Sequence, residues 1–230
     1  MKADDRAPLA RRSFLARLGA GAGALGAAVA AGGVQVQAAD AGRWQPARHA
    51  QDDWLDQVPG KHRFVFDTTT PEAFARALFY ASNYFTANQS AYGLQGSDLA
   101  VVIIARHFST PFAYNDAMWA KHGAALADAI KFADPKSKQA PTGNPSNSPA
   151  VGLPNNGVTL ESMLKKGLHL GVCQMATQFF AGVVAGQDGN KDSTYKELIA
   201  NLMPNAHLVS AGIVAVNRAQ ERGYSFACTG

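Results

Sequence analysis

The chain has few cysteines and few charged residues, and both shortages limit what it can do. Only 2 of its 230 residues are cysteine, which is too few for a disulfide scaffold. Charged residues make up 17% of the chain and form no clustered basic face, so we expect no nucleic-acid partner. The glycine-rich sequence GAGAGALG follows no strand, which argues against a phosphate-binding loop and a nucleotide cofactor.

The first 38 residues resemble a twin-arginine signal peptide. A charged segment ends in RRSFL (residues 11–15), and an uncharged stretch rich in Ala and Gly continues to about Gly33. Residues 36–38 (VQA) then offer small side chains at the −3 and −1 positions of a signal-peptidase site. The alternative is a transmembrane anchor, but a membrane span needs about 20 strongly apolar residues, and this stretch is short and weakly apolar.

This signal predicts export to the periplasm by the twin-arginine translocase, with no membrane attachment after cleavage. Removing its five basic and two acidic residues from the 21 and 17 of the chain leaves 16 and 15, so the net charge falls from +4 to +1. The remaining length suits one domain with one core. Because the periplasm is oxidising, a free thiol there needs either a role or protection.

Strand and helix patterns alternate after a polar N-terminal arm at residues 39–61, for which we predict packing through Trp44 and Trp54. The predicted strands cover residues 62–67, 99–105, 168–172, 206–210 and 224–227. The predicted helices cover residues 71–88, 115–130, 159–166, 174–185, 194–203 and 212–222. Residues 106–111 (RHFSTP) are predicted as a loop. Such alternation predicts a three-layer α/β/α Rossmann-like domain over 62–230, with a five-stranded, mainly parallel sheet.

Residues 132–158 interrupt this rhythm with five prolines and many Asn, Ser and Gly. A loop of this length inside a domain is uncommon, and it is usually a lid, an interaction arm or a disordered segment. A surface excursion without chemistry is the plainer interpretation.

Cys173 occupies the position in the chain with the most chemical meaning. It ends the third predicted strand and begins the next helix, and ligands of parallel sheets collect at the carboxyl ends of the strands. Unpaired N–H groups and the helix dipole favour an anion there, and cysteines at helix N-termini tend to be reactive. The position therefore suits a nucleophile or a persulfide. A buried, inert thiol is the structural alternative, since free cysteine is among the most buried residue types.

Three further residues could contribute to chemistry at this edge of the sheet. His107 follows the second strand and could polarise a substrate or stabilise a thiolate, although it could equally be a structural loop histidine. His169 shares a strand face with Cys173, but no ligand pair has zinc-type spacing, so we expect no metal. Cys228 ends the fifth strand, and a disulfide with Cys173 would need Cα atoms within about 7 Å. An intermolecular bridge through Cys228 stays open.

Residues 62–230 resemble the DsrE/DsrF-like family of small sulfur-relay proteins. The strand, loop and helix at 62–88 and the apolar strand at 99–105 are similar to that family, as are LKKGLHLGVCQMA and LMPNAHLVSAGIVAVNRAQERGYSF. The resemblance implies a Rossmann-like fold, a homo-oligomer (often a trimer or hexamer), and a persulfide on Cys173. Known relay members are cytoplasmic, whereas this chain carries an export signal.

Three functional hypotheses follow. The first is a periplasmic sulfur carrier that takes up sulfane sulfur on Cys173, with help from His107, and passes it to a partner protein. It requires a Cys173 that is neither buried nor permanently bridged. The second is an oligomeric module that binds a small molecule or a protein without turnover. The third is a thiol-redox or metal protein.

Overall fold

Five parallel strands form the central layer of the protein. The computed structural model describes residues 45–134, 137–148 and 152–230. The strands are β1 (His62–Thr68), β2 (Leu99–Ala105), β3 (Leu168–Cys173), β4 (Ala206–Val209) and β5 (Ser225–Cys228). They lie in the order β4-β3-β2-β1-β5, and every neighbouring pair is parallel. The predicted three-layer fold is confirmed, and each predicted strand is correct to within one residue at either end.

Seven α-helices accompany the sheet in the part of the chain that the structure describes. They are α1 (Trp54–Gln57), α2 (Pro71–Tyr92), α3 (Asp116–Ala129), α4 (Leu160–Lys165), α5 (Gln174–Ala185), α6 (Lys191–Ala200) and α7 (Gly212–Gln220). Thr70 caps α2 by accepting from the Ala73 N–H, with Pro71 at the first helical position, as the sequence predicts. Within the described residues, no helix has both the length and the apolar character that crossing a membrane requires.

Two local predictions were wrong. The helix predicted at 194–203 is α6, which starts earlier because the Asn190 side chain caps it by accepting from the Ser193 N–H. It also ends at Ala200, ahead of the predicted boundary. The segment predicted as a loop at 106–111 instead contains a 3-10 helix, His107–Ala113.

The central strand β2 is buried on both faces, which explains its unbroken apolar sequence. Alternate residues serve two separate clusters. Leu99 and Ile103 belong to the cluster formed with helices α2 to α6. Val102 and Ile104 belong to the smaller cluster that holds residues of α1 and α7. The sheet is therefore covered by helices on both faces, as a doubly wound parallel sheet requires.

The described part of the N-terminal arm packs against the end of the chain. Trp54 is buried, as predicted. The Tyr224 hydroxyl donates to the Leu55 carbonyl over 2.6 Å, and burial raises the pKa of Tyr224 to about 12. The side chain of Arg222 is fully buried and its Nε donates to Asp56 over 3.2 Å. The predicted signal peptide at 1–38 and the predicted contact of Trp44 lie outside the described residues.

The described parts of the segment predicted as a long loop at 132–158 are attached to the core by several residues, of which Asn144 makes the most hydrogen bonds. The buried side-chain amide of Asn144 donates to the carbonyls of Phe112 and Tyr114, each over 2.8 Å. Its backbone N–H donates to the Asp116 carboxylate over 2.7 Å. A short 3-10 helix, Pro145–Asn147, follows directly. These contacts fix the middle of the segment beside the start of α3.

Candidate functional site

Cys173 lies at the junction of β3 and α5, where the sequence predicts it. It is the last residue of β3 and the N-cap of α5, and its Sγ accepts a hydrogen bond from the Ala176 N–H over 3.5 Å. A sulfur atom thus takes the place that a Ser or Asp oxygen usually fills at a helix N-terminus. This cap directs the sulfur toward the N-terminal end of the helix dipole, where negative charge is stabilised.

The thiol is free but buried, so only one of the two conditions that the carrier hypothesis sets for Cys173, the absence of a bridge, is met. Cys173 is 6% exposed, and neither cysteine forms a disulfide. It nevertheless lines a cavity of about 430 Å³ at the carboxyl ends of β2 and β3. That volume lies within the range of small-molecule pockets. A reagent or ligand therefore reaches this sulfur through the cavity and not from the open surface.

The cavity brings together the two predicted site residues and several others that were not predicted. Cys173 and His107 both line it. The remaining lining residues come from the segment after β2, the first turns of α5 and the start of α7: Arg106, Phe108, Met175, Ala176, Phe179, Ala211, Gly212 and Ile213.

Arg106 is the main functional candidate that the sequence reasoning missed. Its Nε and Nη2 donate to the two carboxylate oxygens of Asp67 over 2.7 and 2.8 Å. This bidentate pair is the strong geometry for an arginine and a carboxylate. The hydrogen bond with Asp67 raises the pKa of Arg106 above its ordinary value. Asp67 is the penultimate residue of β1 and Arg106 directly follows β2, so the two meet because these strands are parallel neighbours, which the local sequence pattern does not specify.

Buried hydroxyl groups fix the turn that carries Arg106 and His107. Ser109 Oγ accepts from the Arg106 N–H over 3.0 Å and lies 2.9 Å from the Thr68 carbonyl oxygen. Thr68 Oγ1 in turn donates to the Ile104 carbonyl over 2.7 Å. The turn after β2 is therefore held against the end of β1 by the hydrogen bonds of these buried hydroxyl groups.

His107 has a left-handed backbone, with φ at 52°. Non-glycine residues rarely adopt this conformation, although histidine does so more often than most. Its side chain is exposed, and no hydrogen-bond partner holds the imidazole among the described residues. The ring is thus placed at the cavity by its backbone and not by a partner side chain.

Gly212 allows α7 to approach the arginine closely. A Cβ at this position would lie 2.5 Å from Arg106 Cβ and 2.8 Å from Arg106 Cδ. Any larger residue would therefore displace the Arg106 side chain. Ala211, which precedes it at the N-cap of α7, offers no side-chain cap, so the first N–H groups of this helix lack a side-chain acceptor within the described residues.

Cys228 lies at the same edge of the sheet but on the far strand. Cys228 pairs with Asp67 on the neighbouring strand β1. Strands β1 and β2 lie between β5, which carries Cys228, and β3, which carries Cys173. Three strand spacings of about 4.8 Å exceed the roughly 7 Å limit for the Cα atoms of a disulfide. A direct bridge between Cys173 and Cys228 is thus incompatible with this sheet. Cys228 is exposed and remains available for an intermolecular bridge.

His169 does not join the thiol in a ligand set but pairs with another histidine. Its Nδ1 lies 3.1 Å from His207 Nε2, and the ring centroids are 5.4 Å apart, so the two nitrogens face each other along a single N–H···N bond. Trp54 stacks on His207 at 4.1 Å. Burial lowers the pKa of His169, and burial together with His169 lowers the pKa of His207 to about 4.

Three polar residues at or near α2 and α3 do not line this cavity. Asn83 is in the middle of α2 and not near a helix end. Asn115 caps α3, and together with Asp116 it lines a different cavity of about 760 Å³. Among the described residues, no group of three or more His, Cys, Asp or Glu side chains could hold a metal ion.

Comparisons with known proteins found no relative of this chain. No protein-family model, no curated protein and no solved structure matches the chain.

Proposed function

We propose that this protein is a periplasmic sulfur carrier that holds sulfane sulfur as a persulfide on Cys173. The observation that carries the proposal is the position of an unbridged thiol at the N-terminus of α5, in a cavity that Arg106 also lines. A persulfide is an anion at neutral pH, and both the helix dipole and Arg106 stabilise negative charge. The resemblance to the DsrE/DsrF-like family supports the same chemistry.

The transfer balances without an external oxidant. The Cys173 thiolate attacks the terminal sulfur of a donor persulfide, R–S–S⁻; the new S–S bond forms while that of the donor breaks, and R–S⁻ leaves with the electron pair. A thiolate on the acceptor protein then attacks the terminal sulfur and releases the Cys173 thiolate. His107, at the mouth of the cavity, is proposed to assist by holding a proton near the leaving thiolate.

The proposal extends to the setting of the reaction. We propose export by the twin-arginine translocase, a homo-oligomer such as a trimer or hexamer, a donor that carries sulfane sulfur and an acceptor protein with a thiol. Because Cys173 is reached only through the cavity, a protein acceptor must present its thiol on an extended or protruding segment.

A non-catalytic binding module is a second candidate, and one observation favours it. The side chains of Phe108, Met175, Phe179 and Ile213 are about half exposed around the cavity. Exposed apolar groups that surround a pocket are typical of binding surfaces. In this case Cys173 would serve only as the cap of α5.

Intact mass spectrometry of a Cys228→Ser variant separates the two candidates. The protein is treated with a sulfane-sulfur donor and then alkylated without reductant, with Cys173→Ala/Cys228→Ser as the matched control. A carrier gains sulfur in steps of about 32 Da at Cys173, and a partner thiol removes it. A thiol that alkylates but never gains sulfur contradicts the carrier. If Cys173→Ala retains function in the cell, the binding module is favoured.

A further inference from the structure

Among the described residues that line the cavity, the one permanently charged side chain is a cation, Arg106. Among the ten described residues that line it, the ionisable side chains are Arg106, His107 and the thiol of Cys173, and no carboxylate is present. By contrast, the larger cavity of about 760 Å³ is lined by two carboxylates, Asp116 and Glu161, and by one ammonium group, that of Lys165. The smaller cavity therefore favours an anion, whereas the larger one does not.

Arg106 lines this cavity and is held in place by an ion pair. Two of its nitrogens, Nε and Nη2, bind Asp67, which is 3% exposed and does not line the cavity. Within the described part of the chain, Nη1 has no hydrogen-bond partner. The carboxylate of the ion pair is thus buried, and the Nη1 edge of the guanidinium is left without a protein partner in the described residues. A fixed guanidinium of this kind recognises carboxylates, sulfonates and similar flat anions.

The apolar side chains around the cavity indicate that the ligand also has an apolar part. Phe108, Met175, Phe179 and Ile213 are 47–65% exposed, and they are four of the eight large apolar side chains with substantial exposure in the described residues. Their concentration at one cavity is the kind of apolar patch that marks a binding site. A small hydrated inorganic anion would leave these side chains in contact with water. An organic group in the cavity would cover them and gain the free energy of that burial.

We propose that the cavity accepts an amphipathic anionic sulfur donor: an apolar organic group that bears a terminal sulfane sulfur, such as an organic thiosulfonate. This assignment rests on the proposed sulfur-carrier function and specifies its substrate class. The Cys173 thiolate attacks the terminal sulfur of R–SO₂–S⁻, the S–S bond of the persulfide forms, and the bond between the two sulfur atoms of the donor breaks. The sulfinate R–SO₂⁻ leaves with the electron pair, so atoms and charge balance. In the complex, the guanidinium binds the sulfonyl oxygens, and the organic group lies among the apolar side chains.

The first test measures the charge preference of the cavity independently of sulfur transfer. Rates of Cys173 alkylation by iodoacetate (an anion) and iodoacetamide (neutral) are compared in the Cys228→Ser background. Their ratio cancels the intrinsic reactivity of the thiol. We expect the ratio to fall roughly fivefold in the double variant Arg106→Met/Asp67→Leu, which removes the ion pair as a unit. Arg48→Met, which removes a charge outside the cavity, leaves the ratio unchanged. An unchanged ratio in the double variant overturns the proposal.

The second test measures whether an apolar organic group on the donor speeds persulfide formation. Benzenethiosulfonate and methanethiosulfonate carry the same anionic group, so the benzene ring is their difference. We expect persulfide formation to be at least several-fold faster with benzenethiosulfonate, and Phe179→Ser to remove most of this advantage while leaving the alkylation ratio unchanged. Equal rates for the two donors overturn the apolar part of the assignment. If neither donor adds sulfur, the carrier function itself fails, and the alkylation ratio then still reports whether the cavity prefers anions.

Discussion

The ion pair between Arg106 and Asp67 gives the sharpest quantitative prediction about the fold. The Asp67 side chain is 4% exposed and that of Arg106 is 18% exposed. Removing one partner of a buried pair costs about 3–5 kcal/mol, because the remaining charge stays buried without compensation. Arg106→Met leaves such a carboxylate. Since water reaches part of the arginine, we expect a loss near the lower end, about 3 kcal/mol, which is roughly 6–12 °C in Tm for a domain of this size.

The partner variant and the double variant complete a thermodynamic cycle. Asp67→Leu leaves a guanidinium that can reach solvent, so we expect a smaller loss of about 1.5 kcal/mol. The double variant replaces both charges by apolar groups and should lose only about 1.5 kcal/mol in total, which gives a coupling near 3 kcal/mol. Urea unfolding of all four proteins at pH 7 measures these values. Losses that add to within about 0.5 kcal/mol would show that the pair is not coupled and that Arg106 is held by other contacts.

Three more predictions follow from local geometry. Gly212→Ala should destabilise the protein by about 1–3 kcal/mol, because the new Cβ would overlap the side chain of Arg106. Gly182→Ala in α5, where the new Cβ has ordinary contacts, should stabilise the protein by about 0.5–1 kcal/mol. Thermal unfolding of the two variants measures both effects. The depressed pKa of His207, about 4, means that the unfolded chain binds more protons between about pH 6.5 and 4. Stability should therefore fall as the pH drops through this window, and His207→Phe should show a flatter fall in Tm; an equal slope in both proteins would refute this origin. Labelling with a polymer-bearing maleimide should modify exposed Cys228 rapidly and Cys173 slowly, while small iodoacetamide modifies both; equal rates with the bulky reagent would show that Cys173 is not confined to the cavity.

The sequence predicted the strands well because the central ones carry an unmistakable pattern. Leu99–Ala105 is apolar throughout since both faces are buried, and its predicted limits are those observed. Cys173 was placed at a strand end and a helix start because the apolar run of β3 stops there and a helical pattern begins. These features depend on local residue order alone, which a single sequence contains.

The parts that the sequence did not predict depend on which strands are neighbours. The pairing of Arg106 with Asp67 crosses from β2 to β1, and the pairing of His169 with His207 crosses from β3 to β4. The strand order and register decide both, and neither is written in the local pattern. The low exposure of Cys173 likewise results from side chains of distant segments that meet at the cavity. The position of Cys173 was thus predictable from the sequence, whereas the ion pair of Arg106 with Asp67 was not.

The attachment of the N-terminal arm to the end of the chain has a consequence for synthesis. The hydrogen bond from Tyr224 to Leu55 joins residues 169 positions apart, and that from Arg222 to Asp56 joins residues 166 apart. Strand β1 also pairs on one side with β5, the last strand of the described chain, so this edge of β1 is unpaired until β5 is synthesised. A ribosome that has produced everything up to β4 therefore holds a chain with an open sheet edge and an unmatched α1. Folding of such long-range contacts is slow, and the nascent chain is exposed to aggregation until its final strand emerges.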